Sequence, residues 1–173
     1  YSGNCCLPNN NRQPLHVDIG HLWPGLQKAH PAHALVVNVP VVDMTAENGS
    51  TELWPGTHLD TTRTMGDGDI KIPDTELTRV RARVQPLQPN VPAGSLLIRD
   101  MRLWHCGMPN HTKIARPMIA MIHWPHWYRT DGKVRFAKGA EALLADQRLQ
   151  TEAEFVEGPI DYIGRNASYD YAE

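Results

Sequence analysis

Apolar positions along this chain gather into short runs rather than long amphipathic stretches. Leu15 to Ile19, Leu35 to Val42, Thr51 to Trp54, Arg83 to Leu87, Ser95 to Ile98, Met101 to His105 and Pro117 to Trp124 are each of strand length. Turn chemistry such as Asn48-Gly49, Pro55-Gly56, Pro89-Asn90 and Ala93-Gly94 separates them. Many short strands between Gly/Pro turns predict an all-β core, a sandwich or barrel. Helical spacing occurs near the end, where Phe136, Ala140, Leu143 and Leu144 give Ala137 to Leu149 one apolar face. The pattern therefore predicts a β core over residues 1–130 and a C-terminal helical extension, 131–173, packing on it. Between the strands, Thr61 to Arg83 is polar and charged and reads as a solvated surface insertion. Its Gly66-Asp67-Gly68-Asp69 run lacks the twelve-position ligand pattern of a calcium loop.

Composition narrows the picture without deciding it. A chain of 173 residues holds a single core but hardly two. Its net charge of −2 and the absence of a basic stripe argue against a nucleic-acid partner. The longest apolar run, Ala34 to Val42, is interrupted by Asn38 and Pro40, far short of the roughly 20 residues that span a bilayer. No signal peptide is visible. Three cysteines, with Cys5 and Cys6 adjacent, make no disulfide framework, and a reducing, cytoplasmic setting is expected. The expected partner is a small-molecule substrate.

Candidate chemistry lies in two distant segments. His16-Val17-Asp18 places a histidine and a carboxylate on the same side of a strand, because side chains alternate with period 2. His105 supplies a second imidazole. Two histidines and one carboxylate on one face of a metal leave positions open and indicate a non-haem Fe(II) oxygenase. The spacing alone is a weak signal, since H-x-D is frequent by chance. Arg116 strengthens it. If the extended runs Ser95 to Trp104 and Pro117 to Trp124 form a hairpin turning near Asn110 and His111, His105 and Arg116 are opposite partners. A planar guanidinium there suits a carboxylate-bearing co-substrate. Cys106 should face away from the metal as a buried thiol. His21, His30 and His33 are read as surface loop histidines, and Gly56 and Gly94 as turn residues.

Four motifs stand in order: the H-x-D; Glu47-Asn48-Gly49-Ser50-Thr51-Glu52-Leu53-Trp54-Pro55-Gly56-Thr57-His58; Ala93-Gly94-Ser95-Leu96-Leu97-Ile98; and His105 with the Arg116-Pro117 pair. From His16 to His123 the chain resembles the phytanoyl-CoA dioxygenase-like branch of the iron- and 2-oxoglutarate-dependent oxygenases. The resemblance implies a double-stranded β-helix, the cupin-like jelly roll. It implies Fe(II) bound by His16, Asp18 and His105, with 2-oxoglutarate and O₂ as co-substrates. Arg116 would take the distal carboxylate of 2-oxoglutarate, and Asn38, on the strand after the H-x-D, its other end. The implied reaction is hydroxylation or a related oxidation of a small organic substrate, releasing succinate and CO₂. Relatives that halogenate have a small residue in place of the carboxylate, so Asp18 disfavours a halogenase. Two other readings are a metal-binding jelly roll that uses no 2-oxoglutarate, such as an isomerase, and a non-catalytic binding jelly roll. Seven candidate strands are one short of the eight in a jelly roll, so the N-terminal part of the fold is expected to lie outside these residues.

Overall fold

Alternation of side chains along two strands organises the main sheet. In β2 (Leu35–Pro40) Val36, Asn38 and Pro40 are buried, and in β6 (Arg116–His123) Arg116, Met118 and Ala120 are buried. The two pair antiparallel, with Asn38 opposite Ala120 and Pro40 opposite Met118, so their buried residues share one face. Strand β1 (Ser2–Cys6) adds to the outer side of β6 and β4 (Leu97–Asp100) to the outer side of β2, giving the order β1-β6-β2-β4. The computed structural model describes residues 2–68, 70–130, 132–145 and 148–160.

A second, more irregular ladder carries the rest of the core. Strand β3 (Glu52–Leu53) pairs with β5 (His105–Cys106), and single bridges extend this pair on both sides. The order across it is Leu87, Leu53, His105, His16, Lys71. His16 and His105 exchange both backbone N–H···O bonds at 3.0 Å. Leu15, Val17, Trp54, Trp104 and Cys106 bury into one cluster with Ile72 and Val80. They alternate along the chain with His16, Asp18 and His105, so one face of the ladder is apolar and the other carries the candidate ligands.

Ile72 and Val80 belong to the segment expected to be a surface insertion. Within it, α1 (Asp74–Arg81) follows Pro73, with Asp74 and Glu76 in its first turn and Arg79 and Arg81 in its last, charges that match the helix dipole. Val80 is fully buried, and Leu77 and Val84 pack beside it. Burying one valine contributes about 1.5–3 kcal/mol. The stretch before α1 pairs with the ligand segment: the Val17 N–H donates to the Ile70 carbonyl and the Ile72 N–H to that of Leu15. The segment thus backs the candidate site rather than floating in solvent.

Other boundaries also differ. The first expected strand, Leu15 to Ile19, shrinks to bridges at His16. Arg83 to Leu87 is not a strand, since Val84 still bonds to the Val80 carbonyl and Leu87 alone enters a bridge. Met101 to Leu103 turn before β5 begins.

The chain divides into two units, residues 1–125 and 126–173. In the second unit the expected helix over Ala137 to Leu149 does not form. Instead β7 (Val134–Ala137) pairs in parallel with β8 (Ala153–Val156), with the Phe136 and Phe155 rings 6.1 Å apart. Gly139, at φ +96°, stops helical continuation, and a single 3₁₀ turn spans Glu141–Leu144 with Leu143 exposed. The apolar spacing reflected packing of Phe136 across a strand pair. Asp146, Gln147 and residues 161–173 of the expected extension lie outside the described residues. Among the described residues no helix is long and apolar enough to cross a membrane.

Candidate metal centre

The ladder brings His16 and Asp18 to His105, with one ligand atom from each lying within 4.8 Å of the others. His105 Nε2 is 3.4 Å and His16 Nε2 4.0 Å from Asp18 Oδ1. The imidazole centroids are 4.3 Å apart. Each ring is fixed by its other nitrogen: Nδ1–H of His16 donates to the Pro14 carbonyl and that of His105 to the Leu103 carbonyl, both at 2.9 Å. Those bonds fix both rings with Nε2 facing Asp18. Burial, and then the neighbouring His105, lowers the pKa of His16 to about 4, so His16 is a neutral donor at pH 7. Burial alone would raise the Asp18 pKa, but His105 and Arg99 outweigh it and hold the carboxyl ionised. Ligand bonds to a divalent ion are about 2.0–2.2 Å long. Two imidazoles and a carboxylate at this spacing fit such an ion on one side and leave its other positions open.

Arg116 is placed differently from the hairpin expectation. β5 pairs with β3 and β6 pairs with β1 and β2, so Arg116 stands opposite Cys6 rather than His105. The connection between them crosses from one sheet to the other. Its guanidinium is buried and faces inward, donating from Nε to the Asn48 carbonyl at 3.2 Å and from Nη2 to that of Gly49 at 3.0 Å. Nη1 is buried with no hydrogen-bond partner among the described residues. The Glu47-Asn48-Gly49 motif is thus a cradle for this arginine. Asn48 shapes it by accepting from the Thr45 N–H and donating to the Asp43 carbonyl. Gly49 has φ +79°, and a Cβ there would sit 2.5 Å from the Met108 carbonyl oxygen, so only glycine fits. Asn38 is buried on the same face of the sheet, four residues along from Arg116 in register.

Arg99 was not singled out in the sequence, where the strand was ended at Ile98. On β4 it lies opposite Val36 and reaches Asp18, with Nη2 2.7 Å from Oδ2. Its signal was its place two residues after Leu97 on the inward face. Cys106 is buried against the apolar cluster; burial pushes its thiol up to about 12, so it is no thiolate ligand.

His21 and His33 are completely buried, contrary to the surface reading, and Arg102 explains the arrangement. Arg102 forms a two-bond pair with Asp100 (2.9 and 2.6 Å) and approaches His21 Nδ1 at 3.2 Å. His21 accepts there and donates from Nε2 to the Asp60 carbonyl, which requires the neutral ring. Burial, and then Arg102, lowers its pKa. Burial, and then His30, lowers that of His33 to about 4. The unfolded chain takes up this proton near pH 6.5 and the folded one resists until about 4. Stability is therefore full above pH 6.5 and falls as pH drops through that window, by about 1.4 kcal/mol per pH unit for one histidine. Urea unfolding at pH 7, 6 and 5 should show a shallower slope for His33→Phe than for the native protein; identical slopes would refute this origin.

A recess of about 180 Å³ beside Asp18 is lined by Val17, Gly20, Arg63, Thr64 and Asp67 among others. A larger depression of about 500 Å³, bordered by Arg12, Glu52, Trp54 and Arg81, contains none of the candidate ligands, and its size gives it no chemistry. The smaller recess is the relevant one.

A mostly β fold presenting two histidines and a carboxylate beside a buried arginine has the organisation of non-haem iron oxygenases. The chain belongs to the phytanoyl-CoA dioxygenase family, whose model matches residues 7–118. Among solved structures it is similar to AviO1 from Streptomyces viridochromogenes Tue57, with 22% identity, a TM-score of 0.54 and coverage of 74% of this chain and 50% of that one. EctD from S. alaskensis, solved with 2-oxoglutarate and 5-hydroxyectoine, matches at 21% identity and TM-score 0.53, over 69% of this chain and 41% of that one. The alpha-ketoglutarate-dependent carbocyclase SnoK from nogalamycin biosynthesis matches at 18% identity and TM-score 0.52, over 91% and 57%. At these identities the likeness is one of fold. The chain spans about half the length, or less, of the first two.

Proposed function

We propose that this chain is the metal-bearing part of an Fe(II)- and 2-oxoglutarate-dependent dioxygenase of the jelly-roll type, one that hydroxylates or otherwise oxidises a small organic substrate. The observation that carries the reading is the orientation of the three donors. Both Nδ1 atoms are committed to backbone carbonyls, so His16 and His105 can offer only Nε2, and both point toward Asp18 Oδ1. When bound, Fe(II) with 2-oxoglutarate and O₂ supplies the oxidising chemistry, with succinate and CO₂ as the co-products. His16, Asp18 and His105 would hold the ion and leave a side of it open. Arg116 supports the 2-oxoglutarate part, because its orphaned Nη1 is a buried cationic donor with no partner. Asn38, buried on the same face of the sheet, would hold the co-substrate's other end. The recess beside Asp18 carries Arg63, Thr64 and Asp67, which suits a small polar substrate.

The test is turnover. Incubated with Fe(II), ascorbate and 2-oxoglutarate in air, the protein should form succinate slowly without substrate and faster when a small polar substrate is found. Absence of succinate from protein that demonstrably holds iron would remove the 2-oxoglutarate reading.

A further inference from the structure

Arg99 is a buried cation with more donors than partners. Its side chain is 9% exposed, and among the described residues its one ion-pair partner is Asp18, held through Nη2. Nε and Nη1 are buried with no hydrogen-bond partner among the described residues. Leaving such donors unmade is costly, most of all on a charged group. A native protein tolerates that where a ligand completes the set. The place is telling. Asp18 divides its oxygens, Oδ2 to Arg99 and Oδ1 toward His105 and His16. An ion would thus be held through Oδ1, with the guanidinium on the other oxygen of the same carboxylate. Asn38 lies diagonally across from Arg99 on the neighbouring strand, since Val36 faces Arg99 and Asn38 faces Leu97.

We propose that Arg99 binds a carboxylate at the metal: it fixes Asp18 with one nitrogen and donates its remaining N–H groups to the chelating carboxylate of a 2-oxo acid. Charge supports the assignment. A divalent ion with Asp18 and Arg99 leaves two positive charges close together, and a chelating carboxylate removes one of them. The planar fork of arginine matches a carboxylate, which a point charge does not. Arg116 then serves the far end of the co-substrate and Arg99 the near end. This inference rests on the 2-oxoglutarate reading above.

The two arginines separate by ligand. Co(II) replaces iron, its binding is followed by its visible spectrum, and 2-oxoglutarate or pyruvate, which lacks the distal carboxylate, is titrated at saturating Co(II). The native protein should bind both. Arg99→Met should weaken Co(II) binding by roughly 10–100-fold, as loss of a ligand's partner does. At saturating Co(II) it should also lose about tenfold or more for both 2-oxo acids, whereas Arg116→Ala should lose affinity for 2-oxoglutarate alone. Arg99→Lys keeps the charge beside Asp18 and guards against a folding defect; it should recover Co(II) affinity while pyruvate binding stays weak. Native pyruvate affinity in Arg99→Met or Arg99→Lys at saturating Co(II) would overturn the proposal and leave Arg99 as a partner of Asp18 only. Failure of the native protein to bind 2-oxoglutarate would instead overturn the functional reading, and this inference with it.

Discussion

Asp18→Ala is expected to abolish succinate formation and to weaken metal binding by more than a hundredfold, beyond the 10–100-fold typical of losing an outer partner. The loss would be local. The Asp18 N–H bond to the Met101 carbonyl and the pairing of His16 with His105 are backbone interactions that the substitution leaves in place. It would also strand Arg99, whose ion pair is with Asp18. Removing one partner of a mostly buried pair destabilises by up to about 3 kcal/mol, because Asp18 keeps some contact with solvent. Asp18→Asn keeps an oxygen for Arg99 and should recover much of the stability but little of the activity. Co(II) titration and urea unfolding of both variants measure the two effects separately. Native metal affinity in Asp18→Ala would sink the assignment of the centre.

Arg116→Ala should leave metal binding within a few-fold of native while lowering 2-oxoglutarate affinity at saturating metal by ten- to a hundredfold. That follows from loss of one charge-assisted bond, from Nη1, of about 1.5–3 kcal/mol. Part of the effect would be indirect, since Arg116 ties down the Asn48 and Gly49 carbonyls. Arg116→Lys should restore some affinity but not all, as one ammonium cannot span two carbonyls and a carboxylate. The check is calorimetric titration of 2-oxoglutarate into both variants; unchanged affinity in Arg116→Ala would assign the distal carboxylate elsewhere.

Period-2 spacing made the shared face of His16 and Asp18 readable, because it needed only a locally extended backbone. The partner of His105 was not readable. A turn-rich connection between two extended runs looks the same whether it closes a hairpin or carries the chain to another sheet, and here it does the latter. Arg116 was therefore recognised by type and placed beside the wrong strand. Arg99 was hidden by a boundary: the expected strand ends at Ile98, whereas β4 runs on to Asp100. The polarity of Thr61 to Arg83 concealed Ile72 and Val80, two apolar residues that pin it to the core. In the second unit Phe136, Ala140, Leu143 and Leu144 matched a helical period that Gly139 interrupts. Buried His21 and His33 could not be told from surface histidines, since the partner that fills their site, Arg102, comes from a distant segment.

The direct pairing of His16 with His105 makes the centre a clasp between parts of the chain about ninety residues apart. An ion gripping both imidazoles closes that long loop, whose entropy would otherwise favour the open chain. Occupancy then adds to folding free energy by mass action, about 2.7 kcal/mol when free ion is a hundred times its dissociation constant. Redox-inactive divalent ions that fit the same donors would confer the same rigidity without turnover, so the unfolding temperature reports how full the site is, independently of whether iron is what fills it.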